Sequence, residues 1–164
     1  PEEECSMSKT RQLTTFYIGE DLYGIDVSWV QEVTGNLPII PVPLAPPFVR
    51  GLINLRGQIA TAIGLRQLFG LPAEVKDVND TNGEMSVVCR FDGNLVSLLV
   101  DSIGDVMEVS EDSFEAPPKT VPIAVRQFLA GVYKTDAELL SLVEISRVSA
   151  EISNVGNSIE SKAV

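Results

Sequence analysis

Residues 50–66 read RGLINLRGQIATAIGLR, and the NLRG at their centre (Asn54–Gly57) decides how the chain folds. Apolar segments rich in Ile, Leu and Ala flank it, the composition of short strands that become buried. Gly57 permits the tight reversal that lets two such strands meet. The same corner pushes the Arg56 side chain outward, where its planar five-donor fork can grip carboxylates or carbonyls. Read from the residues alone, Arg56 is a partner contact, a solvated turn arginine or an internal ion pair bracing the corner.

Working outward, QIATAIGLR alternates by two. Ile59, Ile63 and Leu65 are expected to fill a core from one face, while Ala60, Ala62 and Gly64 let another element approach on the other. LRQLFG ends in Gly-Leu-Pro and reads as a short helix with its stop signal. On the N-terminal side, LPIIPVPLAPP (37–47) carries five prolines in eleven residues, which fits a connector or a sheet edge but not a central strand. LTTFYIG and LYGIDV form a hairpin, with Tyr23, Ile25 and Val27 on one face and Gly24 and Asp26 on the other. SWVQEV follows, with Ser28 as the expected N-cap of one helical turn or an irregular strand.

Beyond residue 70, KDVNDTNGE is a polar loop turning at Asn82-Gly83. EMSVVCRF and NLVSLLV are joined by Asp92-Gly93, a strong hairpin signal. DVMEV adds a strand, EAPPKTVP breaks the pattern, and FLAGVYKTDAELLSLVEI forms a last hairpin around Lys134 to Glu138. Ile145, Val148 and Ile152 sit at helical spacing. About ten short strands punctuated by turns argue for small barrels or a sandwich.

The chain has 164 residues, enough for one domain or two small lobes folded together without a metal or disulfide. Its 23 acidic and 12 basic residues give a net charge of −11, a surface that repels nucleic acid and anionic lipid. No apolar run approaches a spanning length, and the opening PEEECSMSKT is unlike a signal peptide, so a cytoplasmic home without membrane insertion is expected. Histidine is absent, which removes Ser-His and Cys-His pairs and the commonest zinc ligand. No phosphate-binding glycine loop occurs, and the polar loop misplaces the ligands of a calcium site. Cys89, on a strand face with Met85, Val87 and Phe91, reads as a buried hydrophobe. No enzyme activity, cofactor or metal is expected.

Four blocks then agree in order and spacing: YGIDV with VQEV, P.FV.GLINLRG, LLVDSI.DV, and the closing GV…LLSLVEI. Together, from about Gln12 to Val148, they resemble the CheW-like family of bacterial chemotaxis coupling proteins. The resemblance implies a mainly β fold of two small five-stranded SH3-like barrels side by side, with short helices. The domain is expected at residues 11–152, its lobe boundary not located; the first ten residues and the last dozen are polar and without sustained pattern, which reads as a disordered acidic tail (1–10) and a flexible C-terminal tail (153–164).

The function the resemblance implies is a non-catalytic adaptor. It would link the cytoplasmic signalling tips of chemoreceptors (methyl-accepting chemotaxis proteins) to the regulatory domain of the histidine kinase CheA, within membrane-associated arrays. Val30, Glu32, Gly51, Asn54, Arg56 and Ser97 carry over to the receptor-binding region; kinase-facing residues stay unassigned. Thr61 and Gly64 stand where the family usually has proline and aspartate, and Ser97 where it often has glycine. The alternatives are a ligand- or peptide-binding barrel using Trp29, and a family member serving a non-flagellar surface-sensing pathway.

Overall fold

The structure, a computed structural model, describes residues 9–35, 37–71, 84–135 and 138–153. The expected turn at Asn82-Gly83 lies outside them. The first two strands, β1 (Thr10–Ile18) and β2 (Asp21–Asp26), form the expected hairpin. A 3-10 turn leads into β3 (Val30–Thr34), and the Pro-rich connector into β4 (Val49–Leu55) and β5 (Gln58–Gly64). Helix α1 (Leu65–Leu68) follows, then β6 (Met85–Phe91), β7 (Asn94–Val100) and β8 (Ser102–Ser110). A second 3-10 turn precedes β9 (Phe114–Glu115); α2 (Ile123–Arg126), β10 (Leu129–Lys134), β11 (Leu139–Val143) and α3 (145–153) complete the fold.

These strands make two sheets, in the orders β3-β6-β7-β5-β4 and β8-β1-β2-β11-β10-β9. One lobe is therefore continuous in sequence, from residue 30 to 100. The other is assembled from both flanks, β2 lying parallel to β11. The expected count of five strands per lobe holds for the first sheet only. In the second, two-residue β9 adds a sixth strand, seated because Gly131 of β10 leaves room for the Phe114 ring, with which any Cβ would collide. Neither sheet is closed by a further strand pair among the described residues. In the continuous lobe a single bridge spans the gap, Ile40 and Leu52 exchanging two N–H···O bonds of 2.8 Å.

Each sheet has two buried faces. Between the lobes lies a shared core. Val87, Cys89, Val96 and Leu98 meet Phe16, Ile18, Tyr23 and Ile25, under a lid of Phe69, Phe128, Ile145 and Val148. Aromatic rings run through it in series, Phe16–Tyr23 at 6.1 Å, Tyr23–Phe69 at 5.3 Å and Phe69–Phe128 at 6.0 Å. The far face of the six-stranded sheet buries Leu13, Leu22, Tyr133, Leu140 and Leu142. The far face of the five-stranded sheet buries Leu55, Ala60, Val88 and Leu95, then Ile53, Ala62 and Leu99, covered by Leu37 and Ile39. Here Ala60 and Ala62 do admit a close neighbour, the segment leading to Ile40. An interface this large and apolar holds the lobes as one body.

A polar clasp reinforces that joint. Asp101, between β7 and β8, receives the Arg66 guanidinium through both oxygens, Nε at 3.1 Å and Nη2 at 2.6 Å. Its Oδ2 also accepts the Gly19 N–H at 2.6 Å, and its own N–H donates to the Tyr17 carbonyl. Both charged side chains are largely buried.

Some local expectations are corrected. The first 3-10 turn (Val27–Trp29) is capped by Asp26, whose Oδ1 accepts both the Ser28 N–H and hydroxyl, so Ser28 is not the cap. That cap takes Val27 out of the strand, away from the face of Tyr23 and Ile25. Ile59 is 57% exposed rather than in the core, because β5 begins beyond the core's rim. Among the described residues no helix is long and apolar enough to cross a membrane.

Candidate functional site

The NLRG corner is a two-residue hairpin turn. β4 and β5 pair from Val49–Ile63 down to Leu55–Gln58, leaving Arg56 (φ 54°) and Gly57 (φ 89°) to reverse the chain. Left-handed geometry at both central residues matches the twist of the flanking strands, and glycine at the second carries it without strain. Asn54 ties the corner off, its Oδ1 accepting the Gly57 N–H at 2.9 Å. Arg56 itself is thrown outward.

Its guanidinium is 80% exposed, yet one nitrogen, Nη2, reaches Glu32 Oε2 at 2.9 Å across the gap between β3 and β4. Glu32 is the sheltered partner at 20% exposure. An ion pair this open contributes about 1 kcal/mol or less to the fold. The pair aims the arginine and leaves most of its fork turned to solvent.

VQEV does not act as a unit. A bulge at Gln31 sets Val30 opposite Cys89 but Glu32 opposite Val88. Those two neighbours lie on opposite faces of β6, so Val30 packs toward the shared core while Glu32 joins Arg56 on the other side. Beside Glu32, Arg90 donates to Gln31 Oε1 at 3.0 Å and to Gln58 Oε1 at 3.3 Å. Arg90 belongs to this cluster although no motif in the sequence marks it. The available signal was a charge at an inward-alternating position of an otherwise apolar strand. Gln31, Glu32, Asn54, Arg56, Gln58 and Arg90 thus form one polar rim, with exposed Val33 and Ile59 nearby in sequence.

Gly51 and Ser97 lie elsewhere. Gly51 is buried at a bulge in β4 with φ 148°, and a Cβ there would collide with the Ile40 carbonyl and the Ile39 side chain. Its place is the Ile40–Leu52 bridge. Ser97 is fully buried between Ala62 and Val88, and its Oγ has no hydrogen-bond partner. It offers no surface to a partner. An orphaned hydroxyl in an apolar interior costs about 1–3 kcal/mol, so Ser97→Ala is expected to stabilise the protein. A raised melting temperature checks this; a lowered one would mean that the hydroxyl is satisfied in solution.

A family model described as the CheW-like domain matches residues 12–153. The chain belongs to the CheW-like family. It is 29% identical to the chemotaxis protein CheW of Treponema pallidum over 148 residues, 89% of this chain and 87% of that protein. Its identity to the chemotaxis protein CheW of Rhizobium meliloti is also 29%, over 138 residues, 84% and 86% of the two chains. Among solved structures it is similar to the scaffolding protein TtCheW from Thermoanaerobacter tengcongensis, with a TM-score of 0.73 at 30% identity, covering 83% of this chain and 90% of that one.

Against the CheW-like pattern, the departures at Thr61 and Gly64 now have a structural setting. Gly64 is the N-cap of α1 and makes no side-chain cap bond. The Gln67 side chain folds into the space a Cβ at residue 64 would need, leaving its own Oε1 unpaired. Thr61 sits mid-strand between Leu52 and Val96. Cys89 is buried, and burial pushes its thiol up to about 12, so the thiolate a nucleophile requires is suppressed at neutral pH.

Proposed function

We propose that this CheW-like chain is a non-catalytic chemotaxis adaptor that holds chemoreceptor signalling tips against the regulatory domain of the histidine kinase CheA. It would work in the cytoplasm, at membrane arrays reached through those partners. The observation that carries the reading is the Arg56–Glu32 pair, an outward guanidinium aimed from a left-handed corner on a chain whose relatives are chemotaxis proteins. A receptor tip is a helical hairpin, and an apolar helix face bordered by carboxylates or free carbonyls suits a rim of this kind. One such contact is small and weak, so function depends on many acting together in an array. Glu32, Asn54, Arg56 and the newly recognised Arg90 and Gln31 form this receptor-facing rim. Val30 packs on the shared core, Gly51 at the Ile40–Leu52 bridge and Ser97 in the interior, so these three are not part of it.

Arg56→Glu tests the reading. Melting should move by no more than an exposed ion pair is worth, about 1 kcal/mol. Affinity for a receptor signalling fragment should weaken by about 1.5 kcal/mol or more, the scale of a lost charge-assisted hydrogen bond. Affinity for the kinase regulatory domain should survive. Glu32→Lys should behave alike, because it removes the group that aims Arg56. Unfolding of Arg56→Glu would make the arginine an internal brace, and equal loss of both partners would refute a receptor-specific rim.

A further inference from the structure

The continuous lobe carries four arginines, at 50, 56, 66 and 90. Three of them have a carboxylate partner: Arg50 has Glu84, Arg56 has Glu32 and Arg66 has Asp101. Arg90 is the exception. Among the described residues it forms no ion pair, not even with Asp92 two positions on, and its acceptors are the neutral amide oxygens of Gln31 and Gln58. Its position is nonetheless fixed. Arg90 lies in register with Leu95 of β7, and Leu95 with Ala60 of β5, so the three side chains share the inner face of the lobe. Leu95 and Ala60 are buried there, while Arg90, next to last in β6, is exposed. Its guanidinium reaches one way to Gln31 of β3 and the other way, past β7, to Gln58 of β5. Gln31 precedes Glu32 and Gln58 follows Gly57, so Arg90 is tied to the chain neighbours of the Arg56–Glu32 pair. Nε and one hydrogen of Nη2 are used; both hydrogens of Nη1 and the second of Nη2 are left for a further acceptor.

We propose that Arg90 is the specificity-determining residue of the rim: it receives a carboxylate of the docked receptor tip, and Gln31 and Gln58 are positioning residues that hold its fork ready. This rests on the receptor-facing reading above and adds the chemistry that the rim selects. Arg56 and Glu32 neutralise each other, so the net positive charge of the rim resides on Arg90. A guanidinium keeps its proton, and neutral amides hold it without cancelling its charge. A carboxylate arriving at Arg90 gains a charge-assisted bond without breaking an ion pair, whereas at Arg56 it would compete with Glu32. The net charge of −11 opposes an acidic surface over the chain as a whole, so a local cation decides where such a surface docks. A side chain already held in place also loses little freedom on binding.

Arg90→Met keeps an apolar stem beside Leu95 and removes the fork and the charge. Its melting temperature should stay within about 2 °C of the parent, since no ion pair is lost. Affinity for a receptor signalling fragment should fall about tenfold or more, with affinity for the kinase regulatory domain unchanged. Added salt should weaken the parent more than Arg90→Met. Arg90→Lys keeps the charge without the fork, so it should retain the salt dependence and recover only part of the affinity. Gln31→Ala and Gln58→Ala should each lower the parent's affinity and have no effect in the Arg90→Met background. Replacing the fragment's exposed carboxylates by amides, one at a time, identifies the ligand: one replacement should weaken binding to the parent and be silent against Arg90→Met. If Arg90→Met binds the fragment as tightly as the parent, or if no fragment carboxylate couples to Arg90, this proposal is overturned, and the rim is still judged by Arg56→Glu. A loss of binding that tracks a fall in melting temperature makes Arg90 a cap of the lobe and overturns it too. If the parent binds no receptor fragment, or Arg90→Met loses the kinase domain alone, the receptor-facing reading fails and this proposal fails with it.

Discussion

Asp101→Ala is expected to cost the fold about 3–5 kcal/mol, the range found when one partner of a buried ion pair is removed. The substitution removes the Asp101 carboxylate from an Arg66 side chain that is only 16% exposed, and with it the bonds to Nε and Nη2. The Gly19 N–H, in the turn between β1 and β2, loses its acceptor as well. Three segments from two lobes meet at that carboxylate, so the loss should appear in a single cooperative transition rather than as the melting of one lobe. Asp101→Asn keeps the shape and one acceptor oxygen and should lie between the two. Denaturant unfolding of all three proteins measures it. A shift below 1 kcal/mol in Asp101→Ala would mean that the clasp is solvated and does not join the lobes.

Leu99→Ala is expected to cost about 2–5 kcal/mol, the usual price of truncating a core leucine. Leu99 is 4% exposed and fills the inside of the continuous lobe against Ile53 and Ala62, beneath Ile39 and Leu37. Of these neighbours only Ala62 is small, so how far Ile53, Ile39 and Leu37 relax into the hole sets the place within that range. Val88→Ala, in the adjoining cluster with Leu55, Ala60 and Leu95, removes fewer carbons and should fall toward the low end. Chemical unfolding again provides the measurement. A parent-like midpoint for both variants would contradict the burial of this face.

Most of the secondary structure could be read from the chain because its signals are local. Asp92-Gly93 and Arg56-Gly57 turn hairpins through left-handed pairs, and Tyr23 with Ile25 in β2 and Val87 with Cys89 in β6 share the core face that their spacing by two predicts. What could not be read depends on neighbours remote in sequence. A bulge at Gln31 reverses the face of Glu32, and nothing within VQEV announces it, since the extra residue is defined against β6. Ser97 looks like a surface position by residue type, yet it lies between two strands whose register alone decides its burial. The ion pair of Arg56 with Glu32 spans 24 positions and closes only once β3 and β4 become the two margins of one lobe. Resemblance points to the VQEV and NLRG segments as one region. Only three-dimensional packing separates its surface residues from its interior ones.

The interrupted lobe bears on how this protein is made. Leu22 of β2 lies beside Leu140 of β11, so a ribosome must add 118 further residues before that pairing exists. At the usual 5–20 residues per second this takes roughly 6–24 s. In that interval the continuous lobe, all of whose strands lie between residues 30 and 100, can finish folding on its own register. The first hairpin cannot. Leu13 and Leu22, whose cover includes Tyr133, Leu140 and Leu142, stay open to solvent, and the β2 margin of the hairpin remains a free template for any other nascent chain. The first hairpin is therefore completed only when the last third of the polypeptide arrives to cover its far face.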